Sequence, residues 1–252
     1  NSTLSWSGLS EIGAHTSYPQ LNYLSFNGSI DNVRIYNKAL TANEIQDHYN
    51  KVKLYYQPSF KFDGVNDFVN ITNVNAFNTL TQGSVETWFK ISNASLGGDY
   101  IFSFSKGAVA TDYFNYYFRN DGCLVAITGE QFCIIKKEND VTTFAGGITY
   151  SQLGYTVNDG RWHQFVYTVS SSGNLWYVDG VNYVPTYSIG NAQTLAFLNN
   201  TAMSDFRIGG YRESGTSYFY NGSMANFRIY NRSLSANQIY ELYNSYNTSG
   251  IN

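Results

Sequence analysis

Two tyrosine-rich stretches of the chain carry the residue types that bind sugars. The glycine-rich segment GGYRESGTSYFY contains Tyr211, Arg212 and Tyr218, and the segment TDYFNYYFRND contains Tyr113 and Tyr116. An aromatic ring offers a flat apolar face on which a sugar ring can lie, and neighbouring polar groups can hydrogen-bond the sugar hydroxyls. These are therefore candidate glycan-binding residues. The alternative is packing in the core, because the chain has 23 Tyr and aromatic side chains mostly pack inside proteins.

The segment FDGVNDF indicates a second chemistry, because Asp63, Asn66 and Asp67 surround a glycine turn. Calcium binds roughly six to eight oxygen atoms, many of them from Asp and Asn side chains in loops. These residues are therefore candidate calcium ligands. The alternative is that their side chains only hydrogen-bond the backbone of the turn. The sequence indicates no other cofactor.

The sequence contains no recognisable catalytic pattern. A glycosidase needs two carboxylates that flank the bond it cleaves, whereas the strand-like segments VETWFKI and GEQF carry one each, Glu86 and Glu130. Glu138 and Asp140 lie in the charged segment KKENDV, which we interpret as a solvated loop. The histidines do not have the spacing of metal ligands; they are His15, His48 and His163. We therefore expect a protein that is not an enzyme.

The two cysteines, Cys123 and Cys133, lie on either side of the stretch LVAITGEQF. This stretch alternates and turns near Thr128, so a hairpin would place the two sulfur atoms opposite each other. We predict a disulfide, which implies an oxidising compartment, with two reduced core cysteines as the alternative. Acceptor sequences for N-glycosylation occur in slight excess over chance, at Asn1, Asn27, Asn70, Asn93, Asn199, Asn221, Asn231 and Asn247.

The composition indicates an all-β protein. Of the 252 residues, 17% are aromatic, 13% are charged and 22 are glycine, which favours strands and turns. The net charge of −3 and the lack of a basic stripe argue against a nucleic-acid partner. No apolar run approaches the ~20 residues of a membrane span. The first residues, NSTLSWSGLSEIG, do not resemble a signal peptide, so we expect a mature chain or a segment of a longer one.

One segment of the sequence occurs twice. Residues 26–50 and 220–244 are identical at 14 positions, with an offset of 220 − 26 = 194 residues, and such repeats point to a repeated structural unit. In each copy an alternating stretch, NVRIYN or NFRIYN, predicts a strand, and a capping box then predicts a short helix. The capping pairs are Thr41 with Glu44 and Ser235 with Gln238.

Between the two copies, short strand-like segments separated by turn residues predict a β-sandwich or jelly roll. The segments FKFDGVNDFVNI, GSVETWFKI, GRWHQFVYTVS, NLWYVDGV and FRIGG, followed by the second copy, occur in the order typical of a LamG-like module. Residues 51–252 therefore resemble a complete domain of the laminin G/pentraxin type, in the concanavalin A-like lectin/glucanase superfamily. The resemblance implies an all-β, two-sheet concanavalin A-like jelly-roll sandwich with a short capped C-terminal helix.

Residues 1–50 resemble only the last third of such a module. We therefore expect them to be the C-terminal part of a preceding LamG-like module, with strands and a short helix, in a tandem-repeat surface protein. Two or three strands by themselves are only marginally stable in water. The missing strands would therefore come from a longer chain or from a neighbouring subunit, by head-to-tail strand complementation. Packing on the complete domain as a degenerate half-module is the third alternative.

The resemblance also implies a function. Many such domains are non-catalytic, so we expect an extracellular structural or adhesive module of a cell-surface protein or filament. The alternative is a lectin-like module that binds carbohydrate, and some members bind calcium on the rim of the sandwich. The expected partners are neighbouring copies of the protein, adjacent repeats of the same chain and cell-surface glycans.

Overall fold

The computed structural model describes residues 14–17, 22–25, 33–46, 48, 59–91, 98–107, 111–119, 131–213 and 216–247. The chain forms two compact units, Asn1–Gln46 and Asp47–Asn252. The sequence predicts a domain boundary between residues 50 and 51. That residues 1–50 end a preceding module stays a prediction.

The first unit contains a short hairpin and a capped helical turn. Strands β1 (Ala14–Ser17) and β2 (Asn22–Ser25) pair antiparallel. The turn at residues 42–46 has the predicted capping box, in which the Thr41 amide donates to Glu44 Oε2 at 2.9 Å and the Glu44 amide donates to Thr41 Oγ1 at 3.3 Å. The predicted strand of this copy is wrong for residues 33–36, which have no regular secondary structure. A strand forms only beside a partner strand, and none pairs with these residues in the described part of the chain.

The second unit contains two large antiparallel sheets. The first has six strands in the order β12-β11-β10-β5-β17-β3. Their bounds are β3 (Phe60–Asp63), β5 (Gly83–Lys90), β10 (Trp162–Ser170), β11 (Gly173–Val178), β12 (Val181–Tyr183) and β17 (Asn221–Tyr230). The register of β17 against β5 shifts between Ala225 and Arg228, where Asn226 has φ 51°, so β17 bulges at this point.

The second sheet has seven strands in the order β13-β9-β8-β7-β6-β14-β4. Their bounds are β4 (Val69–Ile71), β6 (Asp99–Ser105), β7 (Tyr113–Arg119), β8 (Gln131–Glu138), β9 (Val141–Thr149), β13 (Thr186–Ile189) and β14 (Asp205–Ile208). A separate hairpin, β15 (Gly210–Glu213) with β16 (Thr216–Phe219), follows β14. Together the two sheets confirm the all-β, two-sheet jelly-roll prediction.

The core between the sheets is mainly aromatic. Phe89, Phe118, Phe132, Phe165 and Trp176 are each at most 1% exposed and belong to one cluster of buried side chains. Burying a side chain of this size stabilises the fold by about 1.5–3 kcal/mol. The high aromatic content of the sequence is therefore used largely to fill the sandwich.

In the described part of the second unit, three short helical elements accompany the strands: a 3-10 turn at Val74–Ala76, a helix at Tyr150–Leu153 and the C-terminal helix Ala236–Asn247. The last of these confirms the predicted C-terminal helix. The Ser235 amide donates to Gln238 Oε1 at 3.1 Å, and the Gln238 amide donates to Ser235 Oγ at 3.3 Å, so its capping box is formed. Tyr246 on this helix stacks on Trp88 of β5, with ring centroids 4.0 Å apart. Within the described residues, no helix has the length and apolar character needed to cross a membrane.

Candidate functional site

The outer face of the seven-stranded sheet carries a group of tyrosines that we call the tyrosine cluster. Side chains alternate along β7, so that Phe114 and Phe118 point into the core whereas Tyr117 belongs to a separate cluster on the opposite face. The tyrosine cluster consists of Tyr100 on β6, Tyr113 and Tyr117 on β7, Tyr211 on β15 and Tyr218 on β16.

The rings of the tyrosine cluster contact one another closely. The centroids of Tyr100 and Tyr117 lie 4.8 Å apart, as do those of Tyr100 and Tyr211, and both pairs are stacked. Tyr211 and Tyr218 face each other in the β15–β16 hairpin and stack at 6.2 Å. Aromatic stacking of this kind adds about 0.5–1.5 kcal/mol per pair beyond the area buried. The hairpin therefore extends a row of rings that begins on the sheet.

Only part of the tyrosine cluster is accessible. Tyr211 is 2% exposed and Tyr117 is 3% exposed, whereas Tyr113 and Tyr218 are half-buried and Arg212 is exposed. A ligand can thus contact the rings of Tyr113 and Tyr218 directly, while the buried rings support them. The Nζ atom of Lys137 lies 5.9 Å from the centroid of Tyr113, and the same atom pairs with the carboxylate of Asp140.

Asn115 lies on the same face of β7, between Tyr113 and Tyr117, and sequence reasoning missed it. The residue is 2% exposed, and its Oδ1 atom is buried without a hydrogen-bond partner. An unsatisfied buried acceptor costs about 1–3 kcal/mol. A ligand hydroxyl or N–H would remove this cost once neighbouring side chains move to admit it, because Oδ1 itself has almost no accessible surface. The signal in the sequence was the spacing i, i+2, i+4 in YFNYY, which places an amide between two tyrosines on one face of a strand.

Tyr116 does not join the other predicted glycan-binding residues. It points into the core, is fully buried, and stacks on Phe165 with centroids 4.3 Å apart. Burial raises the pKa of its hydroxyl well above the ordinary value. Because β7 alternates, Tyr116 faces away from Tyr113, and the candidate glycan surface does not include it.

The candidate calcium ligands Asp63, Asn66 and Asp67 form a turn. Asp63 Oδ1 accepts from the Val65 amide at 2.8 Å and from the Asn66 amide at 3.3 Å, and Asp67 Oδ2 accepts from the Asp63 amide at 3.1 Å. The hydrogen bond from Val65 is the main reason that the pKa of Asp63 lies below its ordinary value. In the described part of the chain, no group of three or more His, Cys, Asp and Glu side chains is arranged to hold a metal. Calcium at this turn stays a prediction.

The structure describes only some of the residues predicted to form a disulfide or to carry N-glycans. Cys133 is fully buried on β8, whereas Cys123 lies outside the described residues, so their disulfide stays a prediction. Asn70, Asn221 and Asn231 are exposed, and Asn199 is half-buried. The other N-glycosylation candidates lie outside the described residues, or have side chains that do: Asn1, Asn27, Asn93 and Asn247.

Of the residues considered for catalysis, Glu86 and His163 have structural positions. Glu86 is fully buried, with Oε1 accepting from Gln164 Nε2 and Oε2 contacting Arg228 Nη1 and the Tyr230 hydroxyl. His163 lies between two carboxylates, with Nδ1 at 2.7 Å from Asp179 Oδ2 and Nε2 at 3.1 Å from Asp159 Oδ1. Both ring nitrogens are thus engaged, so this histidine ties a loop to a hairpin turn rather than facing a substrate.

An apolar cavity of about 330 Å³ lies beside the bulge of β17. Its lining includes Phe60 of β3, Val69 of β4, Ile208 of β14 and Phe227 of β17. The polar residues that line it are Asn226 and Arg228, and Arg228 pairs with the buried Glu86. This lining suits an apolar group and offers no pair of carboxylates for glycoside chemistry.

Comparison with known proteins gives a family and a set of similar folds. The family model Laminin_G_3, described as "Concanavalin A-like lectin/glucanases superfamily", matches residues 63–240. The chain has no match among curated proteins. It is similar in structure to the CBM40 domain of the Ruminococcus gnavus IT-sialidase, with a TM-score of 0.54 and 13% identity over 74% of this chain and 98% of that one. The same domain bound to α2,3 sialyllactose matches with a TM-score of 0.55, with 13% identity and the same coverage of both chains.

A larger enzyme contains a similar domain. A variant of the NanB sialidase of Streptococcus pneumoniae matches with a TM-score of 0.55 and 13% identity, over 73% of this chain and 27% of that one. At these identities the likeness concerns the fold alone.

Proposed function

Because the chain belongs to the laminin G family Laminin_G_3 of the concanavalin A-like lectin/glucanases superfamily, we propose that its two-sheet unit is a non-catalytic, extracellular module that binds glycans at the tyrosine cluster. The observation that carries the proposal is the position of Asn115, a buried amide without a partner for Oδ1, between Tyr113 and Tyr117. Rings that stack on a sugar and an acceptor that takes a hydroxyl hydrogen are the two contacts by which proteins commonly hold carbohydrate.

One exposed positive charge near the tyrosine cluster favours a ligand that carries an acid group. Arg212 is exposed on the β15–β16 hairpin, whereas the Nζ atom of Lys137 beside the Tyr113 ring is already paired with Asp140. A domain of the same fold, the CBM40 domain of Ruminococcus gnavus, has been solved with α2,3 sialyllactose bound. Sialylated oligosaccharides are therefore the first ligands to test, with neutral lactose as the comparison.

A glycan array probed with the intact chain, with calcium and with a chelator, tests the proposal. We expect saturable binding that Tyr218→Ala weakens about tenfold or more, since truncating an aromatic anchor of a binding site commonly costs more than about 1 kcal/mol. Tyr240→Ala is the matched control, because Tyr240 is 58% exposed on the C-terminal helix and is not part of the cluster. No signal on any glycan, or equal binding by both variants, contradicts the proposal. Loss of binding with the chelator would show that binding requires calcium, without assigning the ion to particular residues.

We propose a second, structural role in adhesion or assembly, in which the first unit is completed by a neighbouring copy or an adjacent repeat. Val33, Ile35 and Ile45 support this role, because they are 52%, 72% and 55% exposed. Exposed apolar side chains grouped on one short segment mark interaction surfaces. The equivalent residues of the second copy, Phe227, Ile229 and Ile239, pack against buried clusters of the two-sheet unit. The first copy therefore has the apolar residue types of a segment that packs against a core.

Size measurements on the intact chain test the structural role. We expect concentration-dependent oligomers by light scattering, which Ile35→Asp disrupts. Val184→Asp is the control, because Val184 is 75% exposed in the second unit. A monomer at all concentrations, or an oligomer that survives Ile35→Asp, contradicts completion by a neighbouring copy.

A further inference from the structure

Three reactive side chains meet at one end of the seven-stranded sheet. The Nζ atom of Lys136 donates to Asn199 Oδ1 at 2.9 Å and pairs with Glu138 Oε1 at 3.0 Å. Lys136 is on β8, Glu138 ends the same strand, and Asn199 lies in the segment between β13 and β14. An amine, a side-chain amide and a carboxylate are therefore in direct contact, although the amine and the amide are 63 residues apart in sequence.

The amine lies in a largely apolar environment. The Lys136 side chain is 5% exposed, and its neighbours across the sheet are Phe114 on β7 and Phe144 on β9, both fully buried. Asn199 closely follows Phe197, which is also fully buried. A lysine amine removed from water and held against an electrophile is a better nucleophile than a solvated one.

We propose that Lys136 and Asn199 form an intramolecular isopeptide bond, with Glu138 as the proton carrier. The Glu138 carboxylate takes a proton from the Lys136 ammonium, and the free amine attacks Cγ of Asn199. The Nζ–Cγ bond forms, and the Cγ–Nδ2 bond breaks as protons pass to the leaving nitrogen. The products are an amide cross-link and an ammonium ion, so the atoms and charge balance and nothing is oxidised or reduced.

The contacts supply what this reaction requires. Lys136 Nζ already touches the oxygen bonded to the carbon that it must attack, and holding two reactants in place removes much of the barrier to their combination. Glu138 touches the same nitrogen, which suits a group that moves a proton during the attack. The Nζ atom of the next lysine, Lys137, pairs with the carboxylate of Asp140.

The cross-link would join β8, in the middle of the seven-stranded sheet, to the segment that leads into β14. A covalent bond between distant residues restricts the unfolded chain, as a disulfide does. It would also consume the Asn199 amide, so a chain that is cross-linked at Asn199 cannot carry a glycan at that residue.

The intact mass of the full chain tests the proposal. The chain is produced in a bacterial host, which adds no N-glycans, and is reduced before measurement. We expect the wild-type mass to lie below the sequence mass by one molecule of ammonia. Lys136→Arg and Glu138→Gln are expected at their full sequence masses, and Lys137→Arg, the matched control, keeps the loss. A digest of the wild type should contain the Lys136 peptide joined to the Asn199 peptide.

A wild-type chain at its full sequence mass overturns the proposal, and this result does not depend on the folding of any variant. A loss of ammonia that persists in Lys136→Arg also overturns it, since cyclisation of another asparagine, such as Asn221 before Gly222, releases the same molecule. A cross-link that still forms in a folded Glu138→Gln chain overturns the role of Glu138.

Discussion

The two copies of the repeated segment have similar sequences but differ in burial. Ile45 in the first copy is 55% exposed, whereas its counterpart in the second copy, Ile239, is fully buried. Ile35 is 72% exposed, whereas Ile229 is half-buried against the core. Residues 221–230 form β17 between β5 and β3, whereas residues 33–36 form no strand.

The capping boxes of the two copies are nevertheless the same. Thr41 and Glu44 exchange the same hydrogen bonds as Ser235 and Gln238. Capping needs only residues three positions apart, so it forms wherever the local sequence provides it. Strand formation and burial need a partner sheet, and the described structure provides one only for the second copy. A segment thus determines its own capping, whereas its surroundings determine whether it forms a strand and is buried.

The largest difference between the copies is expected for the paired isoleucines. Ile239→Ala should destabilise the two-sheet unit by about 2–5 kcal/mol, because it opens a cavity under the C-terminal helix. Ile45→Ala should change stability by less than ~0.5 kcal/mol, as exposed substitutions usually do. Chemical denaturation of the intact chain measures both. Equal losses of stability would mean that Ile45 is also covered.

Alanine substitution of the equivalent arginines, Arg228 and Arg34, should give a smaller difference in stability. Arg228 contacts Oε2 of the buried Glu86 at 3.2 Å, and Glu86 raises the pKa of Arg228 even though burial alone would lower it. Arg228→Ala leaves Glu86 with less compensation and should cost about 1–3 kcal/mol. Arg34→Ala, at the equivalent position, should leave the midpoint for the two-sheet unit unchanged. A similar shift for both variants would contradict the difference in surroundings.

Substitution of the N-cap residues should have smaller effects on stability, global for Ser235 and local for Thr41. Ser235→Ala should lower the stability of the two-sheet unit by about 1 kcal/mol, the usual cost of a lost N-cap. Thr41→Ala should weaken only the turn at 42–46 and leave that unit unchanged. Amide hydrogen exchange distinguishes a local effect from a global one. A global loss of protection in Thr41→Ala would show that the first copy is part of the cooperative fold.

A small effect of pH on stability is expected in the two-sheet unit, which contains the second copy. The ring of Tyr243 on the C-terminal helix packs at the Asp179–Gly180 turn, and His163 holds Asp179. Burial alone lowers the pKa of His163, but Asp179 and Asp159 raise it above its ordinary value of 6.5. The stability that these contacts add is present below the pKa that His163 has in the unfolded chain. It is lost as pH rises through the higher pKa that His163 has in the folded protein.

Unfolding midpoints measured across pH 6 to 9 or so should therefore fall for the wild type, and His163→Gln should flatten this slope. Tyr155 also contacts Asp179, and its pKa is raised far above this range, mainly by burial. Burial and Asp179 likewise raise the pKa of Tyr243. A slope that is the same in wild type and variant would exclude His163 as its source.

The fold and the C-terminal helix could be predicted because their signals are local. Alternating strands, glycine turns and the capping box at Ser235 each depend on residues close in sequence. The strand expected in the first copy was wrong at residues 33–36, because alternation shows that a segment can form a strand but not that a partner is present.

The candidate site was predicted only in part. Tyr113, Arg212 and Tyr218 lie on the accessible side of the tyrosine cluster, while Tyr116 points into the core and Asn115 was overlooked. Composition identifies tyrosines, but one residue along a strand moves a side chain to the other face. The contact of Lys136 with Asn199 could not be predicted either, because it joins segments that are distant in sequence.

A binding isotherm for α2,3 sialyllactose, measured in parallel on the wild type and on Asn115→Ala, tests the proposed glycan site most directly. We expect saturable binding by the wild type and about tenfold weaker binding by the variant, which lacks the acceptor for the ligand. Circular dichroism and the unfolding midpoint establish that the variant is folded. Equal affinities, or no binding by the wild type to this or any other glycan, would contradict a binding site at the tyrosine cluster.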